Sequence, residues 1–588
     1  MQKIEFQVTN IAWERIHMYM DVSVQKDIVL SDRVKFLLAN SEYLIETEFD
    51  IINCKDNTFK LALNITNSGI NRCISNGIYT VLIYDQDNVI GEAGYEGTSH
   101  QLEGWGRTFR YSNNVGAYTV TCLLDEFAES SRFLLLFYNT VSRGMSHIPP
   151  IDPNTAPQSR LSKYRDRIQK RIIKSFGTRV YTKGYKLFHK LFYKKNAQKK
   201  TILFLSEQDN KLALNMQVLY DRMKERGLEK EYNLTCSLRK ATSEKQTFSS
   251  GIHLMKSVAQ ADLIIVDDHV PLFDKVVLSK DTKMIQIWHA GAGFKGVGYS
   301  RWGHCGCPGP FSCHRQYDFC ISGSSNISGF FSEQFGILDE QIIPTGMPRM
   351  DIYLNKENRE KVTQELYERY PMAKGNKVLL FAPTYRGRNR MTAYYPYEKL
   401  DFQALYDFCE EKGYVVFFKM HPWVSDEVPI QEQHKDRFFD LNTYPNINEL
   451  FYITDLLITD YSSSIYEFSL MDKPMMFFVY DKVQYSVSRG FHRDYDSTVP
   501  GKVCESFEEI MTALWKEDFE FEKVEKYRVD HFDFVDDHAA DRVIDWLILG
   551  NLPDQYKNAL QRKRDAVAAM RGLSFREYFV EEGDQLES

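Results

Sequence analysis

Long apolar runs are missing from this sequence: none reaches the roughly 18 residues that a helix needs to span a bilayer. The opening MQKIEFQVTN carries no apolar signal core either, so export is not expected. Cysteine is sparse, 10 in 588 residues, and scattered except for Cys305, Cys307, Cys313 and Cys320. Without an export signal these are read as thiols and not as a disulfide framework. A general excess of positive charge is absent as well. The formal net charge is -7, which argues against a nucleic-acid-binding protein. No Walker motif is present, and no internal repeat of fixed short period.

What is present divides into parts, as 588 residues must. Residues 1–148 hold short segments rich in branched and aromatic residues, such as KIEFQVTN, YTVLIYDQ, YTVTCLLD and RFLLLFYN. Polar turns separate them, so an all-β, sandwich-like domain is predicted. The Pro-rich PPIDPNTAPQ opens a linker region, 149–200, that turns strongly basic. Between Arg160 and Lys200 there are fifteen Lys or Arg against one acid, Asp166. Leu161, Tyr164, Ile168, Ile172 and Phe176 fall at helical spacing there, and a second aromatic stretch follows Gly177. The plain reading is a solvated connector; the sharper one is a pair of basic amphipathic helices, 160–195, lying on an anionic membrane surface.

From Thr201 onward strands and helices alternate. TILFLSE, ADLIIVDD, MIQIWHA and YDFCISG read as buried strands, and after IIPTGMPRMD the alternation restarts with KVLLFAPTY, YVVFFKMHP, DLLITDY and PMMFFVYD. Uninterrupted apolar strands with helices between them predict parallel sheets covered on both faces. The fold class expected is therefore α/β, a pair of Rossmann-like domains at 201–350 and 351–550 with a cleft between them. A helical tail, 551–588, closes the chain.

In such sheets ligands sit beyond the carboxyl ends of the strands, and four of those ends are unusually polar. They lead into Trp288-His289, into Pro383-Thr384-Tyr385-Arg386, into Lys419-Met420-His421, and into Asp460-Tyr461-Ser462-Ser463-Ser464. The serines open a predicted helix, where unpaired amides and the helix dipole favour an anion; capping alone is the bland alternative. Glu467 can accept hydrogen bonds from a ribose, and Lys419, Arg386 and Arg349 carry charge for a pyrophosphate. His289 suits a general base and His421 the stabilisation of a leaving phosphate. Asp267-Asp268 reads as a turn or cap. The segment from His304 through Cys305, Cys307, Cys313 and His314 fits no common zinc spacing, so no metal site is assigned.

Taken as an ordered set, WHAGAGFKGVG, TGMPRMD, FAPTYRG, KMHP, TDYSSSIYEF and SRGFHRDY resemble the CDP-glycerol glycerophosphotransferase family. Its members are the polyol-phosphate transferases and polymerases of wall teichoic acid. IAWERIHMYMD, residues 11–21, is similar to the amino-terminal domain of ribitol-phosphate polymerases in that group. The resemblance implies a GT-B arrangement of the two α/β domains and a peripheral place on the cytoplasmic membrane face. It implies transfer of glycerol phosphate or ribitol phosphate from a CDP-linked donor to a lipid-linked glycopolymer, with release of CMP. His289 would be the base. The loop Trp288, Ala290, Gly291 and Ala292 would hold the donor with Arg349, Pro383, Thr384, Lys419, Met420, His421, Ser462, Ser463 and Glu467. The family often has Asp where Glu467 stands, and the Cys-bearing insert after Gly303 is outside its pattern. Mg2+ is the one cofactor left open. A GT-B glycosyltransferase using a nucleotide sugar, and a non-catalytic membrane-bound scaffold, are the rival expectations.

Overall fold

The computed structural model describes residues 4–571, apart from 142–181 and the short stretches 26–29, 41–43, 56, 69–70, 86–87, 113–115, 126–130, 196, 213, 241–246, 292, 294, 305, 388–389 and 489. The predicted linker and most of the predicted basic helices, 149–181, therefore lie outside the described residues, as does the end of the tail.

The first part is all β, and it differs from a sandwich in one respect. Its ten strands, between Ile4 and Val141, belong to one hydrogen-bonded sheet rather than two. Neighbours run antiparallel except for Ile4–Glu14 beside Asn88–Gly94, which are parallel. That parallel pairing brings the sheet back to its first strand and closes a ring. Alternation along each strand is what sequence reading detects, and it is identical in the two architectures. In His17–Val24, for instance, Met18, Met20, Val22 and Val24 point inward and the residues between them outward. The closing pair joins segments far apart in the chain, which no local pattern encodes.

The insert after Gly303 belongs to the seam between this sheet and the α/β part. Trp302 is buried in the core of the sheet domain, stacked on Phe109 with ring centres 5.3 Å apart and tilted against Tyr118 at 5.0 Å. Cys307 donates from Sγ to the Arg110 carbonyl at 3.5 Å. Arg315, 2% exposed, donates to the Tyr299 hydroxyl at 2.8 Å, to the Pro310 carbonyl at 2.7 Å and to the Gly336 carbonyl at 3.1 Å. Among the described residues, the cysteines and histidines of 304–314 are not gathered into one metal-ligating cluster. The nine described cysteines are free thiols. Trp302→Ala removes the largest side chain of this seam. It is expected to cost roughly 3–5 kcal/mol, read as a lower midpoint in chemical denaturation.

Two six-stranded parallel sheets follow. The first comprises β1 (Lys200–Ser206), β2 (Tyr232–Leu238), β3 (Leu263–Val266), β4 (Lys283–Gln286), β5 (Phe319–Ile321) and β6 (Ile342–Ile343), in the order β2-β1-β3-β4-β5-β6. The second comprises β7 (Lys377–Phe381), β8 (Tyr414–Phe418), β9 (Phe438–Asp440), β10 (Leu456–Thr459), β11 (Met475–Phe478) and β12 (Lys502–Cys504), ordered β9-β8-β7-β10-β11-β12. Every residue of β3, β8, β10 and β11 is buried, as strands covered on both faces require. Strand order reverses between β1 and β3 and again between β7 and β10, and crevices open at such points.

After the second sheet the chain returns to the first. Asp351 accepts hydrogen bonds from the amides of Ala539 and Ala540, both at 2.8 Å. Arg222 and Arg226 pair with Asp541, both at 2.9 Å. One apolar cluster runs through Ile202, Ile285, Val378, Leu457 and Val543, so the two sheets share a core. The helix over 182–192 docks through Tyr185, whose hydroxyl accepts from the Ser279 amide at 2.8 Å, while Leu187 and Leu191 stay exposed. Among the described residues no helix is long and apolar enough to cross a membrane.

Candidate active site

The exit from β4 is built to expel one imidazole. Gln286 accepts from the Trp288 amide at 2.8 Å, and Asn215 donates to the carbonyls of Ile287 and Trp288 at 2.9 and 2.5 Å. Trp288 adopts φ +30°, a conformation that non-glycine residues rarely hold. Its indole is buried against Phe335, ring centres 5.2 Å apart, so the side chain belongs to the core and does not line a donor pocket. Its backbone makes the bend from which the loop to Ala292 departs.

His289 is thereby turned outward, its side chain 41% exposed. Its Nδ1 faces the Asp267 carbonyl at 3.2 Å, with the Asp268 carboxylate 3.9 Å away. A carbonyl can only accept, so Nδ1 carries the proton and Nε2 is left with its lone pair. Burial pushes the neighbouring Asp267 carboxyl up to about 6, against a hydrogen bond from Ser206. The pair read from sequence as a turn or cap therefore serves the histidine directly.

The loop that follows meets the second sheet's domain. Gly291 is buried so close to Tyr466 that an added Cβ would sit 2.6 Å from its ring, and only glycine fits. Ala290 is half-buried beside it, and Ala292 lies outside the described residues. Arg349 donates from Nη1 to the His289 carbonyl at 2.8 Å and from Nε to Glu467 at 2.8 Å, with a second bond from Nη2 to the same carboxylate oxygen. Both side chains are buried, at 5% and 7% exposure. Arg349 and Glu467 thus neutralise each other across the cleft. Together they hold the His289 loop to the helix carrying Glu467.

Arg386 is likewise already engaged. It pairs with Asp481 at 2.6 and 2.9 Å and with Asp460 at 2.9 Å, so it is not available as a free charge for pyrophosphate. Asp460 in turn accepts from the amides of Thr384 at 2.8 Å and Tyr461 at 2.5 Å. It ties the loop after β7, with buried Pro383, to the serine turn after β10. The helix at that turn is shorter than expected, four residues, Ile465–Phe468, before a 3-10 turn. Its dipole is correspondingly small. The Ser462 and Ser464 hydroxyls bond one another at 2.8 Å, and Ser463 is exposed.

Lys419 differs from the arginines. It is 5% exposed, yet its Nζ reaches only the carbonyls of Asn442 at 3.2 Å and Met420 at 3.5 Å. Among the described residues no carboxylate stands within ion-pair distance of it. Burial lowers its pKa, partly opposed by Asp440. A buried ammonium without a counterion is a ready anion site. Met420 beside it is buried, its amide donating to Asn442 at 2.7 Å.

His421 sits between the rings of Tyr385, 4.6 Å away, and Trp423, 5.4 Å away. The Trp423 amide donates to its Nδ1 at 3.2 Å, which leaves the proton of the neutral ring on Nε2. Burial, and then the charges of Lys295 and Lys419, push its pKa down to about 4. The folded value lies below the ordinary 6.5, so the unfolded chain takes up this proton first. Stability gained from keeping the ring neutral is complete above about pH 6.5 and is lost as pH falls toward 4. An NMR titration is expected to find this imidazole neutral at pH 6, with its midpoint near 4.

Lys295 reaches His421 from the loop that follows His289. That loop also pairs with the second domain through Gly296 N–H to the Gly490 carbonyl at 3.3 Å and a bridge between Lys295 and Phe491. Both histidines therefore belong to loops that meet at one seam. Chemically the arrangement offers an accepting imidazole nitrogen, an unpaired buried cation, a donating neutral imidazole and a cluster of hydroxyls. Sequence reading missed Asn215, Gln286, Asn442 and the Tyr385–Trp423 ring pair, none of which has a local signature. It also missed Lys295, which stands inside the WHAGAGFKG stretch and was detectable as a charge beside the cleft. Among the described residues the one grouping of three metal-ligating types is His269, Asp274 and Cys313, none of them a candidate site residue.

Comparison with known proteins identifies the family. The family model described as CDP-Glycerol:Poly(glycerophosphate) glycerophosphotransferase matches residues 187–549. The teichoic acid ribitol-phosphate polymerase TarL of Staphylococcus aureus is 30% identical over 569 residues, 92% of this chain and 99% of that protein. The teichoic acid ribitol-phosphate primase of Bacillus spizizenii is 30% identical over 397 residues, 64% of this chain and 98% of that one. A solved structure of the wall teichoic acid polymerase TagF, a histidine-to-alanine variant, gives a TM-score of 0.50 at 23% identity, covering 68% of this chain and 99% of that one. At that identity it speaks for the fold alone.

Proposed function

The chain belongs to the CDP-glycerol:poly(glycerophosphate) glycerophosphotransferase family and is a transferase, and from that premise we propose that it moves a polyol phosphate from a CDP-linked polyol to the terminal hydroxyl of a teichoic acid chain. The observation that carries the mechanism is His289: with Nδ1 held by the Asp267 carbonyl, Nε2 is free to take a hydroxyl proton. The acceptor oxygen forms a bond to the phosphorus bearing the polyol, the bond from that phosphorus to CMP breaks, and CMP leaves with the electron pair. Lys419 and the Nε2–H of His421 neutralise the charge that grows on the departing phosphate. The serine hydroxyls and amides at Ser462–Ser464 hold the remaining phosphate oxygens. In this reading the two α/β domains form a GT-B pair, the first giving the base and the second the donor site.

Ribitol phosphate is the favoured cargo, because TarL, a ribitol-phosphate polymerase by name, aligns with this chain over nearly its whole length. The acceptor is taken to be membrane-linked, and the basic segment 160–195, with Leu187 and Leu191 exposed within it, is taken to dock the enzyme on the membrane's cytoplasmic face. Incubation with CDP-ribitol, CDP-glycerol and a panel of UDP-sugars tests the reading. CMP release with CDP-ribitol is expected; UDP from a sugar donor with no CMP would transfer the protein to the glycosyltransferases. Salt-sensitive binding to anionic vesicles, lost when the lysines and arginines of 160–195 are neutralised, is the matching expectation for the membrane. Undiminished vesicle binding by that variant would remove the docking role.

A further inference from the structure

A cavity of about 970 Å3 opens where the three parts of the protein meet. Glu14 and Arg15 come from the N-terminal sheet, Phe330 from the first α/β domain, and residues 491–499 and 523–530 from the second. Phe491, one of its lining residues, is bridged to Lys295 on the loop after His289, so one strut joins the cavity to the candidate active site. The motif SRGFHRDY supplies much of that wall, and nothing in the mechanism above uses it.

Most of the cations here already have partners. Arg15 pairs with Glu333 at 2.9 Å and with Glu14 at 2.5 Å, and Glu333 also accepts from the buried His492 at 2.7 Å. Lys482 pairs with Asp496 and Glu505 at 2.9 and 2.7 Å, and Lys523 pairs with Glu520. Among the partly buried cations, Arg493 is the exception. Among the described residues it has no carboxylate within ion-pair distance, Asp530 being felt only at longer range. Its guanidinium lies 4.4 Å over the Phe330 ring and donates from Nη1 to His531 Nε2 at 2.8 Å. His531 donates from Nδ1 to the Tyr527 carbonyl at 2.8 Å, which fixes Nε2 as the acceptor. The guanidinium is thus half-buried, held flat and oriented by two neutral groups, with its other N–H donors unanswered by any acid. Exposed Lys526, also without an ion-pair partner among the described residues, lines the same cavity.

A planar cation held in this way matches the paired oxygens of a phosphodiester. We propose that Arg493 binds a phosphodiester of the growing acceptor chain, set back from the hydroxyl that reacts at His289. This rests on the polyol-phosphate reading, in which the acceptor is itself a string of phosphodiesters. The protein would then grip a long acceptor at two places and a short one at only one.

Binding without donor is the direct test, on the full chain. Soluble poly(polyol phosphate) oligomers of several units are compared with inorganic phosphate and with phosphatidylglycerol vesicles, for wild type, Arg493→Lys and Arg493→Gln. Oligomer affinity is expected to fall about tenfold in Arg493→Gln and less in Arg493→Lys, which keeps charge without the planar fork. In elongation assays the ratio of KM between a single-unit and a several-unit acceptor is expected to shrink by the same factor. Oligomer binding as tight in Arg493→Gln as in wild type overturns the proposal. So does dependence on Arg493 that appears with vesicles or inorganic phosphate and not with the oligomer. Should Arg493→Gln fail to fold, the comparison of Arg493→Lys with wild type decides. If no CDP-polyol is turned over yet oligomer binding still needs Arg493, the reaction assigned above is wrong and the site stands. Turnover with binding indifferent to Arg493 has the opposite meaning.

Discussion

His289→Gln is expected to lower kcat by roughly 10²–10⁴-fold, the usual contribution of a positioned general base, while the protein stays folded. The argument is geometric. The strained Trp288 and the Asn215 and Gln286 side chains fix the backbone on which the imidazole stands. The Asp267 carbonyl then selects the tautomer, at 3.2 Å from Nδ1. The ring itself is partly exposed and buries little, so its loss costs chemistry and not core packing. Asp268→Asn keeps the carbonyl contact and removes a carboxylate 3.9 Å from the ring, so a smaller loss is expected there. Single-turnover rates with saturating CDP-polyol and acceptor check the prediction. A His289→Gln enzyme within threefold of wild type would mean that the acceptor proton leaves by another route.

The parallel sheets were legible because their strands are buried on both faces, and segments such as LIIV or YVVFF leave no room for another reading. From the sheets followed the strand ends, and hence His289, Lys419 and His421. What strand ends do not disclose is which charges are already matched. In the sequence, Arg349, Arg386 and Lys419 look alike as cations after strands or in turns. Folding brings Glu467 to the first and Asp460 with Asp481 to the second, from 74 to 118 positions away, and among the described residues brings no acid to the third. Pairing of that kind is a property of the tertiary arrangement. The same holds for the closed N-terminal sheet, settled by one parallel pair, and for Trp302 at the start of the insert after Gly303, which reads as an isolated aromatic until Phe109 and Tyr118 are seen around it.

Lys419→Met is expected to act in opposite directions on catalysis and on stability. The buried ammonium has two carbonyls and no carboxylate, and its lowered pKa records the cost of keeping it charged. A methionine of similar length removes that cost, so thermal stability should hold or rise. Under the proposed reaction, however, the donor's diphosphate would lose the one buried cation of the second domain's site that, among the described residues, has no carboxylate partner. A loss of roughly 10²–10³ in kcat/KM for the CDP-polyol is expected, as for other removals of a donor aimed at developing charge. Arg386→Met provides the contrast within the same site. It strands Asp460 and Asp481, whose side chains are 1% and 14% exposed, and breaking such a pair from one side costs roughly 3–5 kcal/mol. Melting curves and kcat/KM for both variants, measured together, separate the two kinds of cation. If Lys419→Met melts lower than wild type and turns over normally, the lysine is a structural prop and the donor phosphate must be held by other groups.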